Sequence, residues 1–203
     1  MKRGIAGAIA VLVITLIVGG CGHSQKAENW ISLIDGDKGM DNWGTSGSKA
    51  NWRAEGGAIQ ADKMIEGKGA SVLVSKRSFK DMELRVEFWA GDDTNSGVYI
   101  RAPKPETVNT ASGAYEVQIW DRNPNAKYST GSLVNVAEVA PIYKAGGRWN
   151  TFEIFAKGAQ ITVKLNGVIT ASIMNAKNTE TGRIGLQFNG GPIKFRKLQV
   201  REL

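Results

Sequence analysis

The segment I-T-V-K-L-N-G-V-I-T-A-S-I, residues 161–173, decides the fold class. Two short β-prone runs, Ile161 to Leu165 and Val168 to Ile173, meet at Asn166-Gly167. That dipeptide supplies the two positive φ angles of a type I′ turn, so the segment predicts a β-hairpin. Similar short runs, bounded by Gly, Asn and Asp, recur on both sides of it. They predict strands at Val72–Ser75, Met82–Trp89, Val98–Arg101, Tyr115–Asp121, Thr151–Ala156, Ile184–Phe188 and Phe195–Leu203. From Trp30 onward no apolar pattern with a 3.6-residue period is sustained. Many short strands at regular spacing predict an all-β antiparallel sandwich or barrel.

Two of these runs carry more than a fold. In Met82–Trp89, Leu84, Val86 and Phe88 alternate with Glu83, Arg85, Glu87 and Trp89. In Tyr115–Asp121, Tyr115, Val117 and Ile119 alternate with Glu116, Gln118 and Trp120. Val98 and Ile100 likewise oppose Tyr99 and Arg101, and Gln187 alternates out of the apolar pair Leu186 and Phe188. One face of each strand is apolar and belongs to the core. The other mixes carboxylates, amides, Arg and aromatics, the groups that bind sugars: carboxylates and amides bond hydroxyls, and aromatic faces pack on pyranose rings. An ordinary exposed sheet face is the competing reading. In it Glu87 and Arg101 are a cross-strand ion pair, Gln118 stabilises the sheet, and Trp89 and Trp120 pack at strand edges.

Composition narrows the chemistry. The chain has 203 residues, with 42% hydrophobic and 22% charged residues and 25 Gly against 5 Pro, a globular mixture with neither collagen-like nor low-complexity stretches. A single Cys excludes a disulfide framework and a Cys-based zinc site. The single His, His23, precedes the domain, so a Ser-His-Asp triad or a His-ligated metal within the fold is excluded. Basic residues are scattered with no run of five or more, so no nucleic-acid partner is expected.

The first residues read as an address. Lys2 and Arg3 precede an uncharged, apolar stretch from Gly4 to Gly20, the pattern of a signal peptide. Val18-Gly19-Gly20-Cys21 resembles the lipobox of bacterial lipoproteins. That resemblance implies a signal peptide over residues 1–20, lipidation of Cys21 and a tether over residues 21–29. It implies a membrane anchor, and an outer-membrane location facing periplasm or exterior in a Gram-negative cell, because Gly22 rather than Asp follows Cys21. Without residues 1–20 the chain keeps 24 basic and 19 acidic residues, a net of +5.

Read in order, the domain carries L-I-D-G (33–36), N-W-R-A-E-G-G-A-I (51–59), L-V-S-K (73–76) and F-K-D-M-E-L-R-V-E-F (79–88). N-S-G-V-Y-I-R (95–101), Y-E-V-Q-I-W-D (115–121), T-G-S-L (130–133) and R-W-N-T-F-E-I (148–154) follow, then L-N-G-V (165–168) and G-R-I-G-L-Q-F-N-G-G-P-I-K-F-R (182–196). This series closely resembles the 3-keto-disaccharide hydrolase family over residues 30–203. The resemblance implies a concanavalin A-like, lectin-like jelly roll of two antiparallel sheets. It also implies cleavage of glycosidic bonds in 3-keto-disaccharides or 3-keto-glycosides, with a separate sugar 3-dehydrogenase upstream to oxidise C3.

A ketone at C3 acidifies the proton on C2; a base removes it and the enolate expels the C1 oxygen. Carried onto this chain, Glu116 is base or metal ligand and Arg101 an enolate or substrate clamp. Glu87 and Gln118 orient, on strands expected to neighbour one another. Tyr99, Trp120, Gln187 and Asn189 are substrate-binding candidates, and a divalent metal is left open. Phe188-Asn189 stands where many members carry His. The alternative is a carbohydrate-binding lipoprotein without turnover, and a third class is an interaction lipoprotein that binds no glycan. Asp92, Asp93 and Asn95 read as a polar turn, with Ca²⁺ as the alternative, Asp121 as a turn cap, and Trp149 as core.

Overall fold

The computed structural model describes Met1 and residues 29–203. Cys21 and the signal and tether segments predicted from the sequence lie outside the described residues. The strands are β1 (Ile31–Asp35), β2 (Trp43–Ala50), β3 (Arg53–Glu55), β4 (Ala58–Ala61), β5 (Met64–Phe79), β6 (Met82–Ala90) and β7 (Ser96–Ala102). They continue as β8 (Tyr115–Ile119), β9 (Trp149–Lys157), β10 (Gln160–Leu165), β11 (Val168–Ile173), β12 (Gly182–Phe188) and β13 (Ile193–Glu202). Apart from two single-turn 3₁₀ segments, no helix occurs among the described residues.

The strands form two antiparallel sheets packed face to face, a concanavalin A-like jelly roll. One has eight strands in the order β11-β10-β9-β6-β13-β4-β3, with β1 also on β13; the other has five, β2-β5-β12-β7-β8. The predicted hairpin is β10–β11, and Asn166 and Gly167 take φ of 50° and 84°, as the I′ turn requires.

The period-2 alternation builds the core. Leu84, Val86 and Phe88 of β6 and Phe152 and Ile154 of β9 point inward from the larger sheet. Val98, Ile100, Val117, Ile119, Leu186 and Phe188 meet them from the smaller one. Phe88 and Phe152 stack with centroids 4.7 Å apart, and Trp52 lies against Phe195 and Phe188 at 6.5 and 6.4 Å. Each large side chain so buried contributes roughly 1.5–3 kcal/mol, which is why the strands keep their register.

Three expectations are corrected here. Glu87 sits on β6 of the eight-stranded sheet, so it does not neighbour β8 as expected. Trp149 is not core: it is exposed at the start of β9, with the Arg196 guanidinium 4.3 Å from its ring centre. Finally, β5 runs for sixteen residues, not the four of Val72–Ser75. Its early stretch, Ile65–Lys68, is exposed and pairs irregularly with β2, so it lacks the apolar alternation that marks a strand in sequence.

Candidate functional site: a carboxyl, a phenol and two amides on the smaller sheet

Strand register gathers the site. On the face of the five-stranded sheet turned away from the core, Tyr99 of β7 lies opposite Glu116 of β8 and Gly185 of β12. One step along, Gly97 of β7 lies opposite Gln118 and Gln187. The sequence-predicted residues Glu116, Gln118, Tyr99 and Gln187 therefore share one face, and three of them touch. Gln187 Nε2 donates to Glu116 Oε1 at 2.8 Å and to the Tyr99 hydroxyl at 2.5 Å, which brings the phenol and the carboxyl onto one shared amide.

Two glycines that the sequence reading did not single out make this contact fit. A Cβ at Gly97 would come 2.8 Å from Glu116 Oε1, and one at Gly185 would come 3.0 Å from Val72 Cγ1 and 3.2 Å from the Tyr99 ring. Glycine inside a strand weakens it and often marks close approach. Here the empty position on β7 lets the Gln187 amide reach across to the Glu116 carboxyl. The signal was present in N-S-G-V-Y, a glycine interrupting a β run.

The surroundings are closed and partly apolar. The four polar residues are only 3–7% exposed. Tyr99 packs in a small apolar cluster with Val72, Val74, Ala102, Val108 and Ala114, separate from the main core. The loop carrying Val108 is fixed by a capping box between Asn109 and Ser112 and by Asn178 Nδ2 donating to Gly113 O at 2.8 Å. On the far side of β8, backbone bonds pin Glu116 and Gln118: Val134 N to Glu116 O at 3.0 Å, and Gln118 N to Ser132 O at 3.1 Å. Gln118 turns its Oε1 back to the Ile119 N–H at 3.2 Å. Gln187 Oε1 is buried and accepts no hydrogen bond.

Burial sets the electrostatics. Removing Glu116 from water raises its pKa from the ordinary 4.5 to about 7, although the bonds from Tyr99 and Gln187 pull the other way. Burial, then the adjacent Glu116 charge, pushes the Tyr99 phenol well above its ordinary value, so it stays protonated and remains a donor. A carboxyl that titrates near neutrality beside a fixed donor can take and return a proton.

The other predicted site residues lie elsewhere. Arg101, expected as a clamp beside Glu116, is fully buried at one end of the sandwich. It takes φ +53°, and the β7–β12 register shifts between Tyr99↔Gly185 and Ala102↔Arg183, so a bulge breaks the alternation that would have placed it beside Tyr99. Its guanidinium instead donates to Gly158 O at 2.8 Å, Asn178 O at 3.1 Å, Lys80 O at 3.3 Å and Asp81 Oδ1 at 3.3 Å. Glu87 pairs with Arg196 Nε at 2.6 Å on the outside of the opposite sheet. Trp120 follows the last residue of β8, its N–H bonded to Thr130 Oγ1 at 2.9 Å. Asn189 is exposed just beyond β12, its N–H bonded to Asn95 O at 3.0 Å.

The 91–95 segment is a polar turn as expected, whereas Asp121 ties down the 145–146 segment instead of capping its own turn, where Asn123 Oδ1 accepts from Asn125 N at 2.9 Å. Asp121 accepts from Thr130 Oγ1 at 2.5 Å and from the N–H groups of Ala145 and Gly146 at 2.7 and 2.8 Å. Thr94 Oγ1 closes the 91–95 turn, accepting from Gly91 N at 2.9 Å. As for a divalent metal, Glu116 is bonded by a phenol and an amide rather than joined by a second carboxylate. No group of three or more His, Cys, Asp or Glu side chains converges among the described residues. This donor set does not fit a metal.

Similar solved structures share the architecture. A protein from Parabacteroides distasonis assigned as a glycosyl hydrolase aligns with a TM-score of 0.70 at 22% identity, over 86% of this chain and 99% of its own. A second one from the same organism aligns with a TM-score of 0.71 at 17% identity, over 88% and 96%. The carbohydrate binding module CBM66 from Bacillus subtilis aligns with a TM-score of 0.56 at 14% identity, over 79% and 96%. These likenesses establish the fold. Among curated proteins the chain has no sequence match. The sequence profile of one carbohydrate-related family matches residues 29–201, nearly all of the described sandwich, and the chain belongs to that family, the 3-keto-alpha-glucoside-1,2-lyase-like domains.

Proposed function

We propose that this protein is an envelope lipoprotein that cleaves glycosidic bonds of 3-keto-glycosides, with Glu116 as the proton-transfer group. The observation that carries this reading is the Glu116 carboxyl, held near a pKa of 7 against a protonated phenol and an amide. Glu116 takes the C2 proton, and the C–H electron pair forms the enolate of the C3 ketone. The enolate collapses back to the ketone as the C1–O bond breaks, leaving a C1=C2 double bond. The departing oxygen needs a proton, and Tyr99 supplies it while recovering the one Glu116 took, so the relay balances. Water then adds across C1=C2 for net hydrolysis. Gln187 holds Glu116 and Tyr99 in line, and its unused Oε1 suits a sugar hydroxyl.

A second reading, carbohydrate binding without turnover, is favoured by one observation: the sandwich shares its fold with the carbohydrate binding module CBM66 from Bacillus subtilis. Incubation with a 3-keto-disaccharide separates the two. Released monosaccharide supports the enzyme; a thermal shift without release supports the binder. Anchoring through a lipidated Cys21 and an envelope location belong to the same proposal. Mass spectrometry of the membrane-extracted protein tests them: a diacylglyceryl-modified Cys21 peptide is the expected result, and an unmodified one removes the anchor.

A further inference from the structure

We propose that a cleft on the outside of the eight-stranded sheet is a second carbohydrate-binding site, separate from the Glu116 face, that takes a neutral, hydroxyl-rich saccharide. The cleft encloses about 420 Å³, with Trp30 among its walls. That lies within the roughly 300–1,000 Å³ typical of small-ligand sites.

Register builds its floor in two rows. Arg85 of β6 faces Glu153 of β9, which faces Lys164 of β10. In the next row Glu83 faces Phe155, which faces Thr162. At about 4.8 Å between strands, each row spreads its side chains over roughly 10 Å. Glu153 stands between two cations without an ion pair to either. Among the described residues the side chains of Glu153, Gln160 and Lys164 make no hydrogen bond at all. An acceptor, an amide and a donor are thus presented together into one concavity, with Thr162 Oγ1 bonded only to Ser172 Oγ at 3.0 Å.

The aromatic component is also in place. The Arg85 and Arg201 guanidinium carbons lie 4.5 and 5.1 Å from the Trp30 ring centre, which orients the indole, and Phe155 lies on the floor. With the indole engaged by these two cations, the Phe155 ring is the aromatic surface left for the apolar side of a pyranose. Charge selects the ligand class. Arg85, Lys164 and Arg201 stand against Glu83 and Glu153, a net of only +1, and Arg201 is already paired with Glu83. Such a lining favours neither a polyanion nor a polycation, whereas a neutral polyol uses both its donors and its acceptors. The site does not depend on the chemistry assigned to Glu116, which sits on the other sheet.

The full chain, purified in detergent, is titrated with sucrose, trehalose, maltose and cellobiose, and binding is followed by tryptophan fluorescence and calorimetry. Saturable binding of at least one disaccharide is expected. It weakens about tenfold or more in Lys164→Ala and in Gln160→Ala, both with the parent circular dichroism, and is unchanged in Glu116→Gln. Binding that survives both cleft substitutions, or that disappears in Glu116→Gln, overturns the proposal. So does the absence of saturable binding for all four sugars. A change of oligomeric state in Lys164→Ala assigns the cleft to a second copy of the chain and overturns it equally.

Discussion

The Gln187 side chain reaches the Glu116 carboxylate, Nε2 to Oε1 at 2.8 Å, although β7 separates their strands. The bond exists because the position between them carries no side chain. Gly97 therefore acts as a positioning residue for the pair, through space rather than through contact with any ligand.

Gly97→Ala places a methyl group 2.8 Å from Glu116 Oε1 and 3.1 Å from its Cγ. The Glu116–Gln187 bond is expected to break, with about 1–3 kcal/mol lost to overpacking. Denaturant unfolding measures the loss. Turnover falls with it, because Glu116 and Tyr99 no longer share a partner.

The raised pKa of Glu116 makes stability depend on pH. In the folded state Glu116 holds its proton to about pH 7, whereas its ordinary value is 4.5. Its contribution is therefore fully present below about pH 4.5, and it declines as pH rises through 7. Glu116→Gln removes this dependence. Relative to the parent it gains stability between pH 5 and pH 8, on the order of 1–3 kcal/mol. Melting curves across that range check the sign; a variant that loses ground as pH rises contradicts the assignment.

Arg101 is expected to matter for folding alone. Arg101→Met leaves the Lys80, Gly158 and Asn178 carbonyls and Asp81 without its donors, and roughly 3–5 kcal/mol of stability is lost, the scale for breaking a buried ion pair. Below its lowered melting temperature, turnover per folded molecule stays at the parent level.

Glu87→Gln is the matching control. Its ion pair with Arg196 lies on the surface, so the change in stability is below about 1 kcal/mol. Turnover is expected to be unchanged, as a steady-state assay beside Glu116→Gln would show.

The residue types were legible where the strand period runs unbroken. Tyr115–Ile119 alternates throughout, so Glu116 and Gln118 were correctly separated from Val117 and Ile119. Gln187 was placed with them for the same reason. Arg101 was misplaced because a bulge reverses the alternation, and nothing in V-Y-I-R marks a residue about to take positive φ. Glu87 faces out of its own sheet as its period says, but which strands become neighbours is decided by long-range pairing, so the sheet it joins was hidden. Gly97 is the instructive omission: its role is the space it leaves, visible only once β8 and β12 flank it.

The central claim is that Glu116 removes the proton from C2 of a 3-keto-glycoside. The most direct measurement follows that proton by NMR, with a 3-keto-disaccharide and the protein in D₂O. The account predicts loss of the C2 proton signal together with release of the aglycone, both slowed about 10²–10⁴-fold in Glu116→Gln. Cleavage by Glu116→Gln at the parent rate, or cleavage by the parent with the original C2 proton retained, contradicts it.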